Sequence, residues 1–61
     1  MRFELQIIAS LIEEKSRVLD LGCGQGDLLN YLQKNKGVEG YGIEKNEKKV
    51  ITGIERGLSV L

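Results

Sequence analysis

The apolar positions of the chain recur with two different periods. In residues 3–15, Phe3, Ile7, Ile8, Leu11 and Ile12 recur at spacings of three and four, with Glu4, Gln6, Glu13 and Glu14 off that stripe. This spacing predicts an amphipathic helix. After a short break at Ser16 and Arg17, Val18-Leu19-Asp20-Leu21 forms a compact apolar run interrupted by one acid and bounded by glycines. Such a run reads as a strand buried inside a parallel sheet rather than an alternating surface strand. Leu28, Leu29 and Leu32 return to helical spacing in a segment opening at Asp27. Its end is marked by Lys34, Asn35 and Lys36 followed by Gly37: cations in the last turn, then a residue suited to the left-handed cap. Residues 38–43 predict a second strand ending at Glu44, although Gly40 and Gly42 are poor strand-interior residues. Asn46 is placed to cap a third helix with Glu47 in its first turn, Val50, Ile51 and Ile54 facing inward, and Gly57 at its end. Leu58, Val60 and Leu61 begin a third strand.

The predicted order is α-β-α-β-α-β over residues 1–61, with no linker, repeat or low-complexity segment. Strands alternating with helices imply a parallel sheet with right-handed crossovers. Nothing in the chain would cover the far edge of the first strand, and the sequence stops inside a strand. The expectation is therefore the N-terminal part of a larger domain, with exposed sheet edges open to association.

Composition narrows the function. Nine basic and nine acidic side chains give zero formal charge. A nucleic-acid arm or an anionic-membrane binder would need a basic excess. There is no histidine, which removes histidine catalysis and histidine-ligated metal from this chain. The single cysteine, Cys23, leaves no internal disulfide and no multi-cysteine metal site. No apolar run reaches the roughly 20 residues of a membrane span and no signal peptide is visible, so a reducing cytoplasm is expected. A chain of about 60 residues buries only about 60% of its unfolded surface. Eight glycines are therefore costly unless backbone must approach something closely.

The chemistry concentrates at Gly22-Cys23-Gly24-Gln25-Gly26, between the first strand and the second helix. Glycines there let backbone N–H groups and a helix N-terminus approach a ligand. The dinucleotide fingerprint, G-x-G-x-x-G, would place its third glycine at Asp27. Asp20, two positions before the first glycine, is unhelpful beside a pyrophosphate and suits a ligand with a cationic amino group. Glu44 closes the second strand, where an acid in such sheets hydrogen-bonds ribose hydroxyls. An NAD(P)-binding domain is thus the weaker alternative. Cys23, near a helix N-terminus but without a partner base, reads as a small loop residue rather than a nucleophile. Lys45, Lys48 and Lys49 are interspersed with Glu44, Glu47 and Glu55 and read as a solvated helix face.

Asp20, Gly22, Gly24 and Gly26 match the first motif, D/E-x-G-x-G-x-G, of Rossmann-like S-adenosylmethionine-dependent methyltransferases, and Glu44 matches the acid ending their second strand. The runs Leu28-Leu29-x-Tyr31-Leu32, Lys36-Gly37-Val38-x-Gly40-Tyr41-Gly42-Ile43-Glu44 and Ile54-x-Arg56-Gly57-Leu58 narrow this further. Over about residues 7–61 the chain resembles the MetW-type methionine-biosynthesis proteins. The resemblance implies a Rossmann-like α/β parallel sheet with flanking helices, present as its N-terminal half, and S-adenosylmethionine as cofactor. Asp20 would orient the glycine loop and the methionine end, backbone at Gly22 and Gly24 would contact the amino-acid moiety, and Glu44 would hold the ribose hydroxyls. The implied cofactor-binding set is Asp20, Gly22, Cys23, Gly24, Gly26, Glu44 and Lys45. At Lys45 the family commonly has an apolar residue near the adenine; the lysine stem would cover the ring while its ammonium reaches water. The family also acts alongside homoserine O-acetyltransferase, which implies that enzyme as a partner and a non-catalytic regulatory module as the alternative function.

Overall fold

The computed structural model describes residues 2–61. The elements follow as α1 (Phe3–Ser10), β1 (Arg17–Leu21), α2 (Asp27–Lys36), β2 (Glu39–Ile43), α3 (Glu47–Glu55) and β3 (Ser59–Val60). This is the alternation expected from the sequence. The strands form one parallel sheet in the order β1-β2-β3. In its register Val18 lies beside Gly40, Asp20 beside Gly42, and Gly42 beside Val60.

That register sorts side chains by parity. Val18, Asp20, Gly40, Gly42 and Val60 share the face on which the helices pack. Leu29 and Leu32 of α2 are fully buried there. The core forms two patches. Ala9, Leu28, Leu32 and Val38 make one, with Leu5, Ile12 and Val18 at its margin. Leu29, Leu58 and Val60 make the other, with Val18, Cys23 and Val50. The two strand glycines, which weaken the sequence pattern, have a packing reason. A Cβ on Gly40 would stand 2.8 Å from Leu29 Cδ2, and one on Gly42 would stand 2.5 Å from Cys23 Sγ. Their bareness lets α2 and the loop before it settle onto the sheet.

The opposite face corrects the expectation that β1 is buried on both sides. Burial alternates along β1, and Leu19 and Leu21 are 61% and 71% exposed. Tyr41, Ile43 and Leu61 are exposed on the same side of the sheet. The reason is topological. Right-handed crossovers that step in one direction, β1 to β2 to β3, place their helices on one face. The apolar content of β1 fits a two-sided burial that these residues alone do not supply.

The helices depart from the sequence pattern in two respects. α1 ends at Ser10 rather than near residue 15. The amides of Leu11 and Ile12 turn to the carbonyls three residues back, at 3.1 and 3.2 Å, which tightens the final turn. The Lys36 ammonium then caps the end, donating to Ala9 O and Ile12 O at 2.6 Å each. Ala9 is buried, and Leu5 and, just past the helix, Ile12 are partly buried beside it; of the expected stripe Ile12 thus packs inward, while Phe3, Ile7, Ile8 and Leu11 are exposed. With five apolar residues among its eight, the helix offers more than one stripe, and the small Ala9 permits a close approach to α2. In α3, Val50 packs inward, but Ile51 and Ile54 are exposed. The contact there is made by Gly53, where a Cβ would stand 2.9 Å from Val60 Cγ2. Bringing Gly53 against the strand turns Ile51 and Ile54 outward. The expected caps are present: Asn46 accepts from the Lys49 amide at 3.2 Å, and Gly37 closes α2 in the left-handed conformation.

Candidate cofactor-binding cleft

The carboxyl ends of β1 and β2 open onto a cleft of about 520 Å³, within the usual range for small-molecule sites. Its floor is the loop from Gly22 to Gly26. The amides of Gly22 and Cys23 both donate to Ile43 O, at 2.7 and 3.1 Å, so the loop leaves the sheet while still tied to β2. The chain then alternates into the left-handed region, with φ of +62° at Gly24 and +89° at Gly26. L-residues adopt those angles only at a cost, which explains the spacing of the glycines. Gly26 is buried, and a Cβ there would drive into Leu58 Cδ1.

The structure brings Asp20, Gly22, Cys23, Gly24 and Glu44 together on the cleft wall. Glu44 does more than end a strand. Its Oε1 accepts the Gly24 amide at 2.8 Å and its Oε2 the Asn46 amide at 2.9 Å. These two N–H donors, Asn46 foremost, with the Lys49 charge, hold its carboxyl below the usual range. Each oxygen retains a lone pair, so the carboxylate can still accept from a ligand hydroxyl. Asp20 is the opposite case. It is half-buried, and among the described residues no protein donor is hydrogen-bonded to its carboxylate. Burial pushes its carboxyl up. An acceptor kept partly dry without a protein donor is suited to a cationic group from outside.

Cys23 lies beneath the loop against Gly42, its Sγ 3.5 Å from Gly24 O. Burial pushes its thiol up, and the charges of Asp20 and Glu44 push the same way. A protonated thiol is a poor nucleophile, so Cys23 serves the loop by packing. Lys45 is exposed at the turn and faces a separate hollow with Val50, Ile51 and Leu61. Four contributors to the cleft have no signature in the local pattern. Arg2, Leu5 and Ile8 of the α1 region wall the side above Asp20, and Lys49 stands near Glu44. Only the packing of α1 on α2 brings residues so far upstream to the loop.

Several solved structures share this fold. M. capricolum TrmK in complex with S-adenosyl-homocysteine matches with a TM-score of 0.86 and 23% identity, over 100% of this chain and 31% of that one. An S-adenosylmethionine-dependent methyltransferase from Thiobacillus denitrificans, in complex with S-adenosyl-L-homocysteine, matches at 0.84 and 22%, over 100% and 29%. One from Geobacter sulfurreducens, also with S-adenosyl-L-homocysteine, matches at 0.71 and 28%, over 100% and 28%. The likeness is one of fold, and the chain spans less than a third of each of these proteins. No curated protein sequence matches the chain. The model of one family, methionine biosynthesis protein MetW, matches residues 2–61, and the chain belongs to that family, with the fold of the S-adenosylmethionine-dependent methyltransferases.

Proposed function

We propose that the cleft binds S-adenosylmethionine and that this binding is the role of residues 2–61 in a methyltransferase-like protein of methionine biosynthesis. The observation that carries the reading is the meeting of the glycine loop and the second-strand acid, Gly24 N–H to Glu44 Oε1 at 2.8 Å, beside an Asp20 carboxylate with no protein donor among the described residues. Asp20 receives the amino group of the methionine end. Backbone at Gly22, Cys23 and Gly24 lines the amino-acid moiety, and Gly26 lets the loop turn into α2. Glu44 accepts the ribose hydroxyls, and the Lys45 stem lies at the adenine side. With Arg2 and Lys49 also lining the cleft and Asp27 paired with Arg56, it is the Asp20 carboxylate, without a protein donor among the described residues, that favours a ligand with a cationic group over a pyrophosphate, against an NAD(P) role. The cytoplasm supplies this cofactor and keeps Cys23 reduced.

The test is a calorimetric titration of S-adenosylmethionine into the natural full-length protein. Glu44→Ala should weaken binding at least about tenfold, or about 1.4 kcal/mol. A folded protein that binds nothing removes the reading. Burial raises the Asp20 carboxyl whereas backbone donors lower that of Glu44, so as pH falls affinity should decline first as Asp20 takes up a proton, with Glu44 still ionised, and Asp20→Asn should lack that first decline.

Methyl transfer from an activated sulfonium is chiefly in-line positioning of the acceptor. Residues 1–61 span less than a third of the methyltransferases that share their fold, which leaves most of the chain that would position an acceptor outside them. Residues 1–61 alone should therefore transfer no methyl group above a no-protein control, and measurable turnover by them would refute this.

The open face of Leu19, Leu21, Tyr41 and Ile43 favours a second reading, in which the domain docks on a partner and the cofactor reports methionine status. The partner in this reading is homoserine O-acetyltransferase. Co-purification with that enzyme, and loss of its activity when this protein is removed, would support it.

A further inference from the structure

Both ends of α3 engage the glycine loop. At the entry, Glu44 takes the Gly24 amide with one oxygen and the Asn46 amide, at the helix N-cap, with the other. At the exit stands Arg56, the C-cap residue. Its Nη1 donates to Gln25 O at 3.2 Å and to Asp27 Oδ1 at 2.7 Å. Gln25 lies between the left-handed Gly24 and Gly26, and Asp27 is the first residue of α2. The two clamps therefore bracket the Gly24–Gln25 peptide, one holding the N–H before it and the other the carbonyl after it.

The bracket matters because of what lies inside it. A loop with glycine at alternate positions has many accessible conformers, and ordering it on ligand binding costs affinity. The backbone of α3 also sits close by: a Cβ on Gly53 would stand 3.7 Å from Gln25 O. Leu58, just past the helix, fills the space beside Gly26. The side chain of Arg56 is 32% exposed, so its guanidinium is held against the loop rather than free in solvent. A planar guanidinium can serve both a carbonyl and a carboxylate from one position, which an ammonium on a flexible stem does poorly.

We propose that Arg56 is a positioning residue for the cofactor: through Gln25 O and Asp27 it presets the glycine loop in its ligand-ready conformation, so that α3 acts as a strut between the two walls of the cleft. The proposal rests on the cofactor reading above and adds to it a residue that touches no cofactor. The test uses the natural full-length protein with Arg56→Met, Arg56→Lys and, as control, Arg17→Met. Arg17 pairs with Glu39 at 2.9 Å at the far end of the sheet. Two readouts are taken: amide hydrogen exchange at Gly24, Gln25 and Gly26 without ligand, and S-adenosylhomocysteine affinity by calorimetry.

Arg56→Met should speed exchange at those three amides about fivefold or more, leave the β1–β2 ladder unchanged, and weaken S-adenosylhomocysteine about three- to tenfold, less than the full worth of the lost hydrogen bond because Arg56 touches the loop and not the ligand. Arg56→Lys should fall between wild type and Arg56→Met in both readouts, and Arg17→Met should change neither. Unchanged loop exchange in Arg56→Met overturns the proposal, as does faster exchange with full affinity. Should Arg56→Met fail to fold, Arg56→Lys decides: loop exchange and affinity both equal to wild type overturn it. If the wild type itself binds no S-adenosylhomocysteine, the cofactor reading falls, while loop exchange still shows whether Arg56 holds the loop.

Discussion

Gly42→Val should cost about 3 kcal/mol or more of folding stability, the upper end of the usual penalty for overfilling a packed interior. Gly42 is buried in β2, and even a bare Cβ there would stand 2.5 Å from Cys23 Sγ, 3.0 Å from Cys23 Cβ and 3.0 Å from Leu29 Cδ1. Valine adds two methyls to that position. Relief must come from Cys23 moving up, which lifts the cofactor loop, or from Leu29 moving down, which opens the core patch it forms with Leu58 and Val60. For a domain of this size, total stability is about 3–9 kcal/mol at 0.05–0.15 kcal/mol per residue, so the variant stands near unfolding. Gly42→Ala isolates the first contact. It should cost about 1–3 kcal/mol, and adding Cys23→Ala, which deletes the nearest atom, should recover part of that loss. Coupling between such neighbours is commonly about 0.5–3 kcal/mol. Urea denaturation of the four proteins measures it. Additive losses would show that Cys23 does not rest on Gly42.

Asp20→Asn should separate binding from stability. Burial raises the folded-state carboxyl above its ordinary value, so folding favours the protonated form. The sign follows from linkage. An acid raised on folding makes its ionised form a cost, which is present above the folded value and relieved as pH falls through it. At neutral pH the neutral isostere should therefore unfold no more easily than wild type. S-adenosylmethionine should bind it about ten- to over a hundredfold more weakly, the worth of a charge-assisted hydrogen bond of about 1.5–3 kcal/mol. Thermal melts and calorimetry on the same preparations read both quantities. A variant that loses stability and keeps its affinity would make Asp20 a structural residue.

The contrast between Asp20 and Glu44 also shows how far local sequence carries the site. The resemblance assigns Asp20 the ordering of the glycine loop as well as the methionine end. In the structure the loop is also hydrogen-bonded to Glu44, across a separation of 20 residues, and to Arg56 from 31 residues away. No periodicity or spacing rule reports a hydrogen bond of that kind, because it depends on where two strand ends come to rest side by side. The same holds for α1. The expected inward stripe was Phe3, Ile7, Ile8, Leu11 and Ile12, yet of these only Ile12, just past the helix, packs on the core, and the helix itself turns Ala9 and Leu5 inward.

The elements whose signals are local were legible in the sequence itself. The alternation of helices and strands follows from the period of the apolar residues. The ends of α2 follow from the glycine loop before it and Gly37 after it, and the start of α3 from Asn46. A parallel sheet follows from the alternation, and the tight turn between β1 and α2 from the glycines at alternate positions. Tertiary structure decided the rest. It chose which stripe of each helix faces inward, because small residues such as Ala9 and Gly53 allow closer packing than larger apolar neighbours. It gave Gly40 and Gly42 their purpose beneath Leu29 and Cys23, and it left one apolar face of the sheet open because two right-handed crossovers in the same direction place their helices together. Local pattern sets the conformation of each segment, whereas its partners depend on shape and register across the sheet, and those exist only once the chain has folded.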